Sequence, residues 1–314
     1  YGTRNVTFNH TRIMKISPQH FPPEVKKPQA ADSPKVKNQS AQAPTENISG
    51  TMKAEAGRQR MLSWFARVGI SPAMQSSDPK KQKHALERRK HILETQKASN
   101  LQAVLNIALN VTINEQTSDN LDPDWFFAFS SMAEEIYSPP MQELWGKIFA
   151  VEVARPGSFS LRTLQLLKTL THRDAKVFNK AVNIASRRNN DAVPRILVGY
   201  HRRKGLFSLF RKPVPEQINL STVGLSYPDL LSLQEMKLIY ASEIESGEYT
   251  EGQEVSWRCN NDLMTLTCKS SGVALVYYKF TSVGSELYKL VPKSQNEAYL
   301  NQLKLVLNEV FNIR

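Results

Sequence analysis

The chain has little cysteine, no long apolar run and none of the short motifs that announce a familiar reaction. Two cysteines in 314 residues, Cys259 and Cys268, are too few for a disulfide framework and lack the spacing of a zinc site, so a reducing compartment is the simpler setting. Their separation could set them on facing strands of one hairpin, and two buried free thiols are expected. No stretch approaches the roughly 18 apolar residues of a membrane span, and no basic, apolar, small-residue leader opens the chain, so neither a span nor a secretory signal is expected. Cytoplasm is the expected location. Asn5-Val6-Thr7, Asn9-His10-Thr11 and Asn110-Val111-Thr112 match glycosylation acceptors and are read as chance. A Gly-rich phosphate loop, a His-Glu-x-x-His motif and a Gly-x-Ser-x-Gly elbow are all missing, which removes the simplest signatures of nucleotide, zinc and hydrolase chemistry. No catalytic residue, metal or cofactor is assigned.

What is present is an ordinary globular composition, 40% hydrophobic and 22% charged, with a net charge of +12, in a chain long enough for about two domains. The first methionine is Met14, and the residues before it are treated as an upstream extension or a fragment boundary. Residues 1–56 are rich in Pro, Gln, Ser, Lys and Ala with no apolar period, and read as a disordered tail.

Residues 57–117 read as amphipathic and basic helices. Met61, Leu62, Trp64, Phe65 and Val68 alternate with Arg58, Arg60 and Arg67 in a short helix that ends near Gly69. A long helix from about Pro79 to Thr112 follows, basic in its first half and carrying Leu101, Val104, Leu105, Ala108 and Leu109 in its second.

Residues 118–190 read as a helical domain. Asp122-Pro123 and Ser138-Pro139 start helices bearing Trp125, Phe126, Phe129 and Met132, then Leu144, Trp145, Ile148 and Phe149. Ser160 caps Leu161 to Leu170, and Thr171 with Asp174 makes a capping box before Ala175 to Ile184. Residues 191–314 read as an α+β portion: a strand at Arg195 to Tyr200, a helix at Pro228 to Ile239, strands at Leu263 to Cys268 and Val273 to Phe280 forming a hairpin around Ser270 to Gly272, and a terminal helix from about Asn296 to Phe311. The expected class is therefore mainly α with a small C-terminal α+β portion, a helical domain followed by a winged-helix-like hairpin.

Three segments carry a resemblance. Leu144 to Ala150, Glu152 and Pro156 to Leu164 make the pattern LW-KI-A-E-PGSFSLRTL, with Asp174-Ala175 after it, and echoes follow at Leu230 to Ile239 and Thr281 to Leu287. Together they resemble an uncharacterised bacterial domain of unknown function, in its gammaproteobacterial conserved-hypothetical branch, from about Trp125 to the C-terminus. That group implies no activity. The ending also resembles a winged helix, although Lys237 stands where many such proteins have glycine.

Candidate chemistry is sparse. His84 and His91 lie seven apart on the basic helix with no nearby carboxylate pair, so they read as solvated. Glu134, Glu135, Glu143 and Glu152 with Arg155 and Arg162 form the nearest polar cluster. Acid–base work needs two carboxylates in one pocket with separated pKa values, so the expectation is that Glu152 pairs with Arg162 or caps the next helix, fixing the Pro-Gly turn. Ser158 and Ser160 read as caps, since nothing supplies an activating base.

Positive charge clusters at Lys80, Lys81, Lys83, Arg88, Arg89 and Lys90, and again at Arg202, Arg203, Lys204, Arg211 and Lys212. Such clusters release counterions from nucleic acid or attract anionic lipid, while the acidic stretch Asp229 to Glu254 could neutralise one of them. The leading expectation is a non-enzymatic interaction protein that contacts nucleic acid. Peripheral attachment to an anionic membrane is the alternative, because Met61 to Val68 and Leu206 to Phe210 set aromatics beside cations. An enzyme with an unrecognised pocket ranks third. A protein partner or a homo-oligomer is also open, and no small molecule is assigned.

Overall fold

Proline just after a small polar residue sets several of the helix starts, because it pre-forms the helical φ and lacks an N–H that would go unpaired there. A computed structural model describes residues 46–111, 120–189, 191–203, 216–260 and 262–314. The chain divides into two units, residues 1–94 and 95–314, with the boundary inside one helix.

In the first unit, α1 (Glu46–Arg67) and the start of α2 (Pro79–Leu109) are linked by a turn containing a 3-10 segment at Pro72–Gln75. The helix is longer than the short amphipathic one expected, and most of the tail assigned to residues 1–56 lies outside the described residues. Gly69 adopts φ +74°, and a Cβ there would stand 2.8 Å from the Arg89 Cα, so only glycine fits this backbone approach.

The second unit opens with a helical layer. It contains the end of α2, α3 (Pro123–Ala133), α4 (Pro139–Ala154), α5 (Leu161–Thr169) and α6 (His172–Asn183). Asp122 accepts the Asp124 N–H at the start of α3, and Thr171 with Asp174 forms the capping box of α6. Phe129 stands 5.1 Å from Trp125, 5.3 Å from Trp145 and 5.1 Å from Phe149, ring centre to ring centre, which knits α3 to α4. Gly146 lets α4 reach α2: a Cβ there would lie 2.6 Å from Ile107 Cγ2 and 2.9 Å from the Val104 carbonyl. The buried Asn100 bonds the Glu134 carbonyl and accepts from Gln96 and Gln142, so a polar group inside this layer is satisfied rather than orphaned.

The remainder overturns the expected fold class. Among the described residues seven strands form one antiparallel sheet: β1 (Ser186–Arg188), β2 (Arg195–Arg202), β3 (Ile244–Glu245), β4 (Glu254–Cys259), β5 (Asp262–Cys268), β6 (Val273–Lys279) and β7 (Phe311–Ile313), in the order β3-β6-β2-β1-β4-β5-β7. The protein is therefore α+β with a substantial sheet, not mainly α with a small α+β ending. The expected winged-helix-like hairpin is absent for a topological reason. β5 pairs with β4 and β7, while β6 pairs with β2 and β3, so the turn at Ser270 to Gly272 carries the chain between distant parts of the sheet. β2 is buried from Arg195 to Tyr200, and thus reads as a continuous apolar run rather than an alternating one.

The helices α7 (Tyr227–Glu235), α8 (Ser282–Leu290) and α9 (Glu297–Leu307) complete the unit. α7 stops four residues before the expected Ile239, and α9 ends at Leu307 so that Phe311 can enter β7. The Tyr299 hydroxyl donates to the Leu197 carbonyl at 2.9 Å and pins α9 to β2. Cys259 and Cys268 are both buried free thiols, near opposite ends of the β4–β5 pair.

Candidate functional site

The first candidate surface lies on the N-terminal unit. Met61, Trp64, Phe65 and Val68 recur at helical spacings of three and four, which puts them on one face of α1 and the turn that follows it. That face is uncovered: Met61, Trp64 and Phe65 are 60%, 65% and 59% exposed. The Arg67 guanidinium sits 4.3 Å from the Trp64 ring centre, a cation–π contact that keeps a charge at the edge of the apolar face. Of the four tryptophans, Trp64 alone is exposed, since Trp125, Trp145 and Trp257 are buried.

On α2, Lys80, Lys81, Lys83, Arg88 and Lys90 are exposed, and Arg89 is half-buried against the Gly69 turn. Lys83 faces Glu87 at 4.0 Å and Lys90 faces Glu94 at 3.9 Å, both in solvent, where such pairs stabilise little. Lys80, Lys81 and Arg88 have no ion-pair partner among the described residues. Residues 1–94 hold 17 lysines and arginines against 7 aspartates and glutamates, so +10 of the net +12 belongs to this part of the chain.

In the second basic cluster, Arg203 is met by acid. Arg203 lies 3.7 Å from Glu248, and His201 bonds Glu245 at 2.6 Å, both carboxylates coming from the acidic stretch Asp229 to Glu254. Arg202 reaches the Glu309 carbonyl at 3.4 Å and lies over Tyr200. Lys204, Arg211 and Lys212, with Leu206 to Phe210, lie outside the described residues.

Glu152 and Arg162 are not brought together. Glu152 is buried at 2% exposure on the last turn of α4, where it accepts the Gly157 N–H at 2.6 Å and the Phe159 N–H at 2.8 Å. It is thus the anchor of the Pro-Gly turn. Burial pushes its carboxyl above the usual range, against the pull of backbone N–H groups from Gly157, Phe159 and Ser158, and the nearby Glu286 adds to the rise. Glu286 on α8 grips the other side of the same turn by accepting from the Ser160 N–H at 2.7 Å and its hydroxyl at 3.1 Å. Both carboxylates accept from N–H groups of one turn, a structural role for each.

Arg162 is exposed on the first turn of α5 and lines a cavity of about 500 Å³ with Gln165, Leu166, Met236, Lys237 and Val283. Sequence reasoning offered Arg162 as one of two alternatives for Glu152, the other being the turn it holds, and gave Lys237 no role in binding. The cavity gathers α5, the end of α7 and the start of α8, more than a hundred residues apart in the chain, so no local spacing could reveal it. Among the described residues no group of three or more His, Cys, Asp or Glu side chains could hold a metal ion, and no helix is long and apolar enough to cross a membrane.

These features define an α+β protein that joins an antiparallel sheet and its helices to a basic N-terminal helical unit. The chain belongs to the family described as "Protein of unknown function (DUF2806)", whose model matches residues 84–304. No curated protein and no solved structure matches it. The family match begins within α2, so α1 with Trp64 and the lysines Lys80, Lys81 and Lys83 lie outside it.

Proposed function

We propose that the protein is a non-enzymatic interaction module whose N-terminal helical unit docks on an anionic lipid surface. The observation that carries this reading is the uncovered stripe of Met61, Trp64, Phe65 and Val68 beside Arg60 and Arg67. Apolar side chains of this kind gain by leaving water, and the interfacial zone of a bilayer accepts them while its headgroups meet the arginines. The concentration of positive charge in residues 1–94 complements that surface. The aliphatic Met61 and Val68 would have nothing to do on a phosphate backbone, which favours lipid over nucleic acid.

Nucleic acid is the second reading. It is supported by Lys80, Lys81 and Arg88 on α2, exposed cations without an acidic neighbour in ion-pair range among the described residues. Co-sedimentation of the full chain with phosphatidylglycerol and with phosphatidylcholine vesicles, alongside short single-stranded and duplex DNA, separates the two. Docking on lipid predicts binding to phosphatidylglycerol vesicles only, lost in Trp64→Ser/Phe65→Ser with unchanged thermal unfolding. DNA binding that falls steeply with salt and survives that double substitution would overturn it in favour of nucleic acid. Binding to neither ligand would overturn both readings.

A further inference from the structure

The cavity beside Arg162 is built from parts that are locked to one another. At the start of α5, the Ser160 N–H and hydroxyl are held by Glu286 of α8. At the end of α7, the Thr281 hydroxyl donates to the Lys237 carbonyl at 2.6 Å, and the Thr281 N–H donates to the Leu238 carbonyl at 3.0 Å. Gly284 completes the second lock. A Cβ there would stand 2.0 Å from the Leu238 carbonyl oxygen, so the first turn of α8 lies directly against this backbone. Arg162 and Lys237 thus stand on backbone that is bonded to α8 or to its N-cap Thr281, and they line one cavity with Leu166, Met236 and Val283.

Lys237 is an unusual choice for its place. It follows the C-cap of α7 with φ +57°, a left-handed conformation that glycine takes without cost and that lysine takes against its Cβ. Nothing in the helix ending needs a cation: the backbone bonds of the cap, Lys237 N–H to the Gln234 carbonyl and Leu238 N–H to the Leu233 carbonyl, are indifferent to the side chain. Neither Lys237 nor Arg162 forms an ion pair among the described residues. Two cations on the rim of one cavity with an apolar floor suit a ligand that brings its own negative charge.

We propose that this cavity is a binding site for a small organic anion, which lays an apolar body on Leu166, Met236 and Val283 and sets a carboxylate or phosphate between Arg162 and Lys237. Gln165 supplies an amide at the rim for a further hydrogen bond. The cavity size falls within the range of small-molecule sites, and charge-assisted bonds from a guanidinium and an ammonium are the strong ones available to an anion. The site uses residues of the second unit only and stands independently of the docking reading.

Titration calorimetry on the full chain with 1-naphthyl phosphate and 1-naphthoate tests it, with neutral 1-naphthalenemethanol as the control. The expected result is one saturable site for at least one of the two anions, weakened about tenfold or more in Arg162→Gln and in Lys237→Gly. The anion that binds more tightly identifies the head group. Lys237→Gly should unfold at or above the wild-type temperature, because glycine suits the left-handed position; this separates loss of the ammonium from loss of the fold. Absence of saturable binding by either anion, affinity unchanged in both variants, or equal affinity for the neutral control would overturn the proposal.

Discussion

Replacing Glu152 by alanine removes the acceptor from two backbone N–H groups at once, those of Gly157 and Phe159. An N–H left without a partner in the interior costs about 1 to 3 kcal/mol, and less where water can reach it. The Phe159 bond is buried and the Gly157 bond partly so; the first is charged near the upper end and the second near the lower. The Phe159 carbonyl also accepts the buried Trp125 indole N–H at 2.7 Å, so a displaced turn disturbs the aromatic layer of α3 and α4. The expected loss for Glu152→Ala is therefore about 4 kcal/mol, measured as the change in unfolding free energy from urea titration. Glu152→Gln is the sharper variant. Its amide keeps one acceptor but points an N–H at a donor, so it should lose about 1 to 3 kcal/mol despite nearly identical shape. A loss below about 0.5 kcal/mol for both variants, within the scatter of ordinary surface substitutions, would show that Glu152 does not hold the turn and would reopen a chemical role for it.

Two further predictions concern the packing and charge of the fold. Gly146→Ala should destabilise by about 1 to 3 kcal/mol in the same assay, because its Cβ meets Ile107 and the Val104 carbonyl, whereas Gly57→Ala on α1 meets nothing and should be neutral or stabilising; the opposite order would contradict the α2–α4 contact. Asp229 accepts from the Lys180 ammonium at 2.7 Å and completes the capping box of α7, and that hydrogen bond above all holds its carboxyl below the ordinary 3.8. A depressed carboxylate contributes stability that is present above pH 3.8 and lost as pH falls through the lower folded value. Asp229→Asn should therefore flatten part of the acid-side fall in stability, and an unaltered pH profile would refute the pairing.

The helical layer is legible in the sequence because its boundaries are written locally: Asp122-Pro123, Ser138-Pro139 and Thr171 with Asp174 each state a helix start in a few residues. The sheet is less so. β1 is the three residues Ser186-Arg187-Arg188, with no apolar period, and it becomes a strand only because β2 and β4 flank it. β7 begins at Phe311, a residue equally at home in the helical stripe of Leu300, Leu303 and Leu307. β4 does alternate, with Val255, Trp257 and Cys259 inward, and was legible in principle. The hairpin expected around Ser270 to Gly272 went wrong because proximity in sequence outweighed register, which depends on partners far along the chain. For the candidate sites, the Glu152 turn and the α1 stripe could be read from spacing. The Arg162–Lys237 cavity could not, since it exists only where α5, α7 and α8 meet.

The docking account is tested most directly by acrylamide quenching of tryptophan fluorescence in the full chain, with and without phosphatidylglycerol vesicles. Trp64 is the exposed indole and the other three are buried, so the quenchable part of the signal reports α1. Burial of α1 in the interface predicts that this part becomes protected from acrylamide when phosphatidylglycerol vesicles are added, and not when phosphatidylcholine vesicles are added. Trp64→Phe should abolish the change while binding persists. Quenching that stays the same at saturating phosphatidylglycerol would contradict the account.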